Sequence, residues 1–105
     1  MNLVFKALSD PTRRQVLELL KKRSMSAGEL AECFVLSKPT MSAHFAVLRK
    51  AGLISAQRHG KSVVYELRLS VLEDALLQFA GVFGWTLQES KRGRGRPSRV
   101  TNEER

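Results

Sequence analysis

Apolar residues recur along this chain with two different periods. A period near 3.6, typical of amphipathic helices, runs through four stretches before residue 52 and one long stretch after residue 68. A period near two, typical of strands, runs through LISAQ and SVVYELR between them. The pattern predicts five helices with a two-stranded β-hairpin between the fourth and the fifth. The predicted fold is mainly α with a small β-hairpin (α+β).

The second predicted helix has clear signals at its start. Ser9 or Asp10 can serve as its N-cap, and Pro11 fits the first helical position because proline's fixed φ is already helical. Arg13 and Arg14, in the first turn, are expected to be surface residues. A short apolar helix of about two turns precedes this one and needs a packing partner, since so short a helix is marginal alone.

The third and fourth helices are close enough in sequence to form a helix-turn-helix. The third is expected to begin at Ser24 or Ser26, and Ser26 and Glu29 have the S-x-x-E spacing of a capping box. A short loop leads to Ser37, a favourable N-cap for the fourth helix, and Gly52 suits the left-handed conformation that ends it. Two short helices joined this tightly are typical of DNA-binding helix-turn-helix units.

The fourth helix has one apolar face and one polar face. Met41, Phe45 and Leu48 recur at i, i+4 and i+7, which indicates packing on a core. The opposite face is small or hydrogen-bonding near its start and cationic near its end, with Lys38, Thr40, Ser42, Ala43, His44, Ala46 and Arg49. Such a face suits a DNA major groove, although an ordinary amphipathic surface helix has the same pattern, so the neighbouring elements must decide.

The predicted hairpin has a basic tip. Its turn, RHGK, places Arg58, His59 and Lys61 at or beside the tip, and Gly60 supplies positive φ. Because the hairpin directly follows the candidate recognition helix, we interpret it as a wing that contacts phosphates or the minor groove. The alternative is a hairpin that only covers the core.

The last predicted helix begins with Ser70 as its N-cap and covers residues 70–90, with Trp85 near its end. It has more apolar surface than one buried side requires, which usually marks an interface. We expect a homodimer interface that includes Leu3, Phe5, Leu72, Leu76, Phe79 and Phe83. The alternative is burial inside a larger monomer core.

The charge balance favours a polyanionic partner. The chain of 105 residues has a formal net charge of +8 and a pI near 10.4, which indicates nucleic acid first and an anionic membrane surface second. The charge is uneven, since residues 1–89 carry 12 Lys or Arg and 8 Asp or Glu, and residues 90–105 carry 6 and 2. We therefore predict a folded domain at 1–89 and a disordered basic tail at 90–105.

The tail contains a further DNA-binding candidate. Arg94-Gly95-Arg96-Pro97 resembles the core of AT-hooks, in which two extended arginines follow a narrow A·T minor groove. The surrounding residues of that motif are incomplete, because Gly93 precedes Arg94. The alternatives are a general phosphate-binding tail and a merely solubilising one.

Other classes of chemistry have little support. The single cysteine, Cys33, excludes an intrachain disulfide, fits a reducing cytoplasm and is expected to be a small buried side chain. An intersubunit thiol switch at this residue is a less favoured alternative. No apolar run reaches the length of a membrane span, and the start does not resemble a secretory signal. The two histidines lack the neighbours of a catalytic nucleophile, so no enzyme is expected.

Three separated segments, FKALSDPTRRQVLELL, ELAECFVLSKPTMSAHFAVLRKAGLI and RHGKSVVYEL, resemble in order and spacing the ArsR/SmtB family of winged helix-turn-helix repressors. The first segment and SKPTMSAH are most similar to the SdpR-type autorepressor branch of that family. The resemblance covers residues 2–85. It implies a homodimer built from the first and last helices, an inverted-repeat operator, and a cytoplasmic, nucleoid-associated repressor. In SdpR-like relatives it also implies capture by a membrane protein encoded nearby.

The family pattern also implies DNA roles for individual residues. Lys38, Thr40, Ser42, Ala43 and His44 face the major groove, while Arg49, Arg58 and Lys61 hold phosphates. The chain departs from the family's metal sensors, because Ser26, Ala27 and Gly28 stand where founding members have Cys-x-Cys. Other members use Asp and His ligands on the last helix, where this chain has Glu73, Asp74 and Glu89 but no histidine. We therefore expect no metal and no cofactor.

Two other function classes stay open at this point. The winged helix could be a protein-interaction module, which would not require a basic recognition face. The chain could also be an architectural DNA binder that relies on the basic tail and overall charge. A ratio of specific to nonspecific DNA affinity would separate the latter from a repressor.

Overall fold

A computed structural model describes residues 2–85, which form five helices and three strands. The helices are α1 (Asn2–Leu8), α2 (Pro11–Lys22), α3 (Ala27–Ala31), α4 (Lys38–Lys50) and α5 (Leu69–Val82). The strands are β1 (Met25–Ser26), β2 (Ile54–His59) and β3 (Ser62–Leu67). The predicted fold class is confirmed. No helix in this part of the chain has the length and apolar character needed to cross a membrane.

The sheet has one strand more than the sequence predicted. Its order is β1-β3-β2 and both pairs are antiparallel. Tyr65 of the central strand lies opposite Met25 of β1 on one side and opposite Ala56 of β2 on the other. β1 has two residues, too few for a period of two, and it pairs with a strand about forty positions away in sequence. Local pattern could not reveal it. Because α3 follows β1 directly, α3 begins at the edge of the sheet that contains the hairpin.

The core forms where α4 meets the other helices and β3. Met41, Phe45 and Leu48, the predicted inward residues of α4, are all buried. The Phe45 and Tyr65 rings lie 4.9 Å apart, which ties α4 to the central strand. Complete burial of a leucine such as Leu48 stabilises the fold by about 2 kcal/mol. The orientation of α4 is therefore set by core packing.

Two of the predicted helix caps are confirmed. The Asp10 carboxylate accepts hydrogen bonds from the backbone N–H groups of Thr12 and Arg13, at 2.7 and 3.3 Å. At α3, the Ser26 hydroxyl accepts from the Glu29 N–H at 3.0 Å and the Glu29 carboxylate accepts from the Ser26 N–H at 2.8 Å. This is the complete capping box. These caps fix where α2 and α3 begin.

The prediction for the start of α5 was wrong. The helix begins at Leu69, its N-cap is Arg68, and no side chain caps it, so Ser70 lies inside the first turn. The N-cap preference of serine placed the start too late, because the Arg68 N–H bonds to the Leu53 carbonyl at 2.8 Å and sets the chain direction there. The helix also ends sooner than residue 90. Its last residue is Val82, and the Trp85 N–H bonds back to the Ala80 carbonyl at 2.9 Å.

The expected burial of Cys33 was also wrong, because its side chain is exposed. α3 ends at Ala31, so the helical period that buries Leu30 does not continue to this residue. The Cys33 thiol instead lies 3.5 Å from the Glu29 carbonyl oxygen, to which it donates.

The two capping carboxylates make the stability of the fold depend on pH in the acidic range. Desolvation raises the pKa of Asp10, but bonds from the Arg13 and Thr12 N–H groups outweigh it, helped by the positive charges of His44, when its imidazole is protonated, and of Arg13, so this pKa lies below its ordinary value. The Ser26 N–H bond lowers the pKa of Glu29 against the opposing effect of desolvation, helped by Arg23. A carboxyl group whose pKa is lower in the folded state stabilises the fold when the pH is above its pKa in the unfolded chain. This stabilisation is lost as the pH falls through its pKa in the folded state.

We therefore expect the melting temperature to fall as pH decreases below about 4, near the ordinary carboxyl pKa values. In Asp10→Asn with Glu29→Gln the same decrease should be smaller, because these carboxylates no longer take up protons on unfolding. Thermal unfolding monitored by circular dichroism between pH 6 and pH 2.5 measures the difference. Glu18→Gln with Glu66→Gln removes two exposed carboxylates outside helix N-termini and is the control. Equal pH profiles for the two double variants would contradict the assignment.

Candidate nucleic-acid interface

The outer face of α4 is rigidly presented. As predicted, Ser37 caps α4: its hydroxyl accepts a hydrogen bond from the Thr40 N–H at 3.2 Å, and Pro39 lies in the first turn. At the other end the Gly52 and Leu53 N–H groups bond to the carbonyls of Arg49 and Leu48, at 2.9 and 3.1 Å. This is the Schellman arrangement, and it requires the left-handed φ of +79° that Gly52 adopts. α4 is thus capped at both ends.

Most of the predicted DNA-facing residues of α4 are exposed. Lys38, Thr40, Ser42, Ala43 and Arg49 all have exposed side chains. The Ser37 hydroxyl donates to Thr40 Oγ1 at 2.8 Å, so the Thr40 hydroxyl keeps its own hydrogen for an outside acceptor. Hydroxyl, ammonium and methyl groups of this kind can read base edges.

His44 differs from its neighbours, because its side chain is half-buried. Arg13 Nη1 lies 3.3 Å from His44 Nδ1. The Arg13 Nε donates to the Ala7 carbonyl at 2.8 Å and its Nη2 donates to the Lys6 carbonyl at 3.0 Å. The expectation that Arg13 is a surface residue was therefore wrong, since it is half-buried and joins α1 to α4. Sequence reasoning missed this role because the contact with His44 spans 31 positions.

The hairpin places its basic residues as predicted. β2 and β3 pair from Ile54 and Leu67 to His59 and Ser62, which leaves a two-residue turn. Gly60 in that turn has φ of +63°. Arg58, His59 and Lys61 are exposed at this tip.

Among the residues that the structure describes, the cations of α4 and the hairpin have no carboxylate partner. Within residues 2–85 the structure has one ion pair, between Arg23 and Glu29 at 3.6 Å, and it is exposed on other elements. Lys38, Arg49 and the hairpin cations therefore keep their charge available for an external anion. Unpaired cations beside exposed hydrogen-bonding groups fit a nucleic-acid backbone.

A second surface, on α1 and α5, is apolar. Phe5 and Phe79 have ring centroids 5.1 Å apart, and Phe79 and Phe83 have theirs 5.2 Å apart. Phe83 stacks on Trp85 at 5.0 Å. We call the exposed members of this surface the α1–α5 face: Leu3, Leu69, Leu76, Leu77, Phe79, Val82, Phe83 and Trp85.

Two of the predicted interface residues are less exposed than the rest. Phe5 is half-buried under Phe79, and Leu72 is half-buried against the core. The remaining four, Leu3, Leu76, Phe79 and Phe83, have between 41% and 55% of their surface exposed.

No group of three or more His, Cys, Asp or Glu side chains within residues 2–85 is arranged to hold a metal ion. The Ser26 hydroxyl, at a position where the founding family members have a sensor cysteine, is engaged in the α3 capping box. Arg94 and Arg96 lie outside the described residues, as does the predicted domain boundary at residue 89.

Comparison with known proteins agrees with this geometry. The model of the bacterial regulatory protein, arsR family, matches residues 10–56. The transcriptional repressor SdpR of Bacillus subtilis (strain 168) is 50% identical over 76 residues, which are 72% of this chain and 84% of that protein. The regulator KmtR of Mycobacterium tuberculosis is 45% identical over 64 residues, which are 61% of this chain but 49% of KmtR.

Solved structures show the same fold. An ArsR-like transcriptional regulator from Rhodococcus sp. RHA1 has a TM-score of 0.69 and 28% identity, covering 79% of this chain and 77% of that one. HlyU from Vibrio cholerae N16961 has a TM-score of 0.64 and 27% identity, covering 77% of this chain and 88% of that one.

Proposed function

The chain belongs to the arsR family of bacterial regulatory proteins, and from this membership we propose that it is a homodimeric repressor that binds an inverted-repeat operator. Like these relatives, the chain is a DNA-binding transcriptional regulator and not an enzyme. The observation that carries the proposal is the outer face of α4, which is exposed, polar and capped at both ends. Repression of its own gene would follow the SdpR-like pattern.

The residues of α4 divide between base and phosphate contacts in this proposal. Lys38 can donate to guanine O6 and N7, the hydroxyls of Thr40 and Ser42 to bases or phosphate, and the Ala43 methyl can contact a thymine methyl. Arg49, near the C-terminal end of α4, lies where a phosphate contact fixes the register of the helix.

The hairpin acts as a wing that holds the DNA backbone. Its exposed cations, Arg58 and Lys61, need no rearrangement to reach phosphates, and His59 adds a hydrogen-bonding group beside them. The wing then supplies affinity and α4 supplies specificity.

We expect Arg58→Ala with Lys61→Ala to reduce the salt dependence of operator binding. Each lost phosphate contact removes about 0.9 from the slope of log K against log salt, because fewer counterions are released. Fluorescence anisotropy between 50 and 300 mM salt measures the slope. Lys21→Ala with Lys22→Ala removes the same charge from the exposed end of α2 and is the control. If the wing variant kept the wild-type slope, the wing would not contact phosphates.

The α1–α5 face is the proposed dimer interface. Its Phe79 and Phe83 rings pack in a row with Phe5, and exposed leucines lie on the same two helices. A two-fold dimer would place two copies of α4 in successive major grooves, about 34–36 Å apart, and would therefore require an inverted repeat.

Three predictions stay predictions, because no described residue tests them. These are the DNA-binding role of Arg94 and Arg96, for which an AT-hook is one alternative, the independence from metal or cofactor, and the capture by a membrane protein. The proposed disorder of residues 90–105 likewise falls outside residues 2–85.

A reporter experiment tests autorepression. The DNA upstream of the chain's own gene drives a reporter in a heterologous host, with and without the chain supplied from a separate plasmid. We expect lower reporter output with the wild-type chain and full output with Ser42→Glu. Equal output with the wild-type chain and with no chain would contradict repression at this site.

A further inference from the structure

Arg13 contacts His44, one of the residues on the outer face of α4. Its guanidinium reaches three acceptors on two helices: the Lys6 and Ala7 carbonyls at the end of α1 and the His44 ring on α4. The two carbonyl bonds, at 2.8 and 3.0 Å, fix the plane of the guanidinium. Its remaining Nη1 is thereby directed at His44 Nδ1.

The chemistry of this pair determines where the imidazole carries its hydrogen. Arginine has N–H donors and no acceptor, so a hydrogen bond from Nη1 requires a lone pair on His44 Nδ1. A neutral imidazole with a lone pair on Nδ1 has its hydrogen on Nε2. The N–H donor that His44 then has is at Nε2, the ring nitrogen that does not face Arg13.

The position of His44 on α4 makes this donor relevant to DNA. His44 lies one turn after Thr40, so the two side chains share one side of the helix. Acceptors are the groups that DNA presents most often, as purine N7, guanine O6 and thymine O4 in the major groove and as phosphate oxygens along the backbone. A single oriented N–H suits each of them.

We propose that Arg13 is a positioning residue that holds His44 as the Nε2–H tautomer, so that α4 presents one fixed donor to an acceptor on DNA. This inference rests on the proposed DNA-binding function. It adds a residue of α2, outside the helix-turn-helix unit and the wing, to the groups that determine binding.

Nitrogen NMR of the free protein tests the tautomer without DNA. Long-range ¹H–¹⁵N correlations of the histidine rings, recorded at about pH 8.5 where an ordinary imidazole is neutral, identify the protonated nitrogen. We expect His44 to show a single Nε2–H form and to shift towards a mixture in Arg13→Ala. The exposed His59 is an internal reference. A wild-type His44 with its hydrogen on Nδ1, or on both nitrogens through pairing with Asp10, would overturn the proposal.

Two substitutions of His44 separate the ring nitrogens in binding. The amide N–H of glutamine reaches roughly the place of Nε2, and that of asparagine the place of Nδ1. We expect His44→Gln to keep operator affinity within about threefold and His44→Asn to lose about tenfold, the loss of one hydrogen bond to DNA. Because Arg13 is intact in both, this comparison is decisive even if Arg13→Ala does not fold. Equal losses would overturn the proposal.

A double-mutant cycle shows whether Arg13 acts through His44. Arg13→Ala alone should weaken binding about twofold, because only the Nε2–H fraction of an even tautomer mixture can donate. The same change in a His44→Gln background should have no effect, because the glutamine donor needs no tautomer. Equal losses in the two backgrounds would mean that Arg13 acts through α1 or through charge. If the wild-type chain bound no DNA selectively, the proposed function would fail while the NMR result would still decide the tautomer.

Modified operators identify the acceptor. Replacing purine N7 by C–H in 7-deazapurine DNA removes one base acceptor, 6-thioguanine and 4-thiothymine weaken the O6 and O4 acceptors, and methylphosphonate linkages remove phosphate charge and acceptor strength. At one position, one of these changes should weaken binding by the wild-type chain but not by His44→Ala. If no modified position distinguished the two proteins, His44 would not donate to DNA and the proposal would be wrong.

Discussion

The change Ser42→Glu is expected to reduce operator affinity by about 100-fold or more while leaving the fold intact. Ser42 is exposed on the outer face of α4, so a glutamate can be accommodated there, and glutamate is a good helix former. In the groove its carboxylate would face base acceptors and phosphates of like charge. Such a juxtaposition costs several kcal/mol, and each 1.4 kcal/mol is about tenfold in affinity.

Two matched variants isolate the cause of this loss. Ser42→Ala removes only the hydroxyl and should lose about tenfold or less. Ser70→Glu makes the same charge change at an exposed serine in the first turn of α5, where a carboxylate is favourable, and should bind almost normally. Gel-shift titration measures affinity, and circular dichroism checks the fold. A Ser42→Glu protein with wild-type affinity would show that α4 does not enter the groove.

The second large effect is expected from Leu76→Glu in the α1–α5 face. Leu76 is 41% exposed in one chain and lies on the stripe of α5 that includes Leu72, Phe79 and Phe83. In a two-fold interface the carboxylate would be buried twice, at about 2 kcal/mol or more per copy. The dimer dissociation constant should therefore rise about 1,000-fold, and binding to an inverted repeat should be lost with it.

Sedimentation velocity at micromolar concentration measures this change as a shift from dimer to monomer. Gln78→Glu adds the same charge and is the control. Gln78 is exposed and lies two residues after Leu76, away from the apolar stripe. Leu76 is exposed in the single chain, so its replacement should leave the monomer folded. A wild-type chain that is monomeric, or a Leu76→Glu chain that is still dimeric, would contradict the proposed interface.

Local rules in the sequence were sufficient for the helix-turn-helix. The S-x-x-E box, the Ser37 cap, Gly52 and the period of α4 each depend on residues a few positions apart, and the structure has them all. The same holds for the hairpin, whose strands are joined by a two-residue turn. These features are predictable because their partners are neighbours in the chain.

Features decided by distant partners could not be predicted in this way. Strand β1 exists through its pairing with Tyr65 and Val64. The start of α5 depends on the bond between Arg68 and Leu53, which overrides the capping preference of Ser70. Arg13 is a plausible surface residue in sequence, and its contact with His44 depends on how α1 and α2 pack beside α4.

Selection from a pool of random DNA duplexes tests most directly whether the chain is a sequence-specific dimeric repressor. The full chain is incubated with the pool at physiological salt, bound duplexes are amplified through several rounds, and the enriched sequences are read. We expect an inverted repeat whose half-sites lie one helical turn, about 10–10.5 base pairs, or a multiple of it apart, and no such enrichment with Ser42→Glu. Enrichment of no motif, or of A·T-rich DNA without an inverted repeat, would contradict the proposed function and favour an architectural DNA binder.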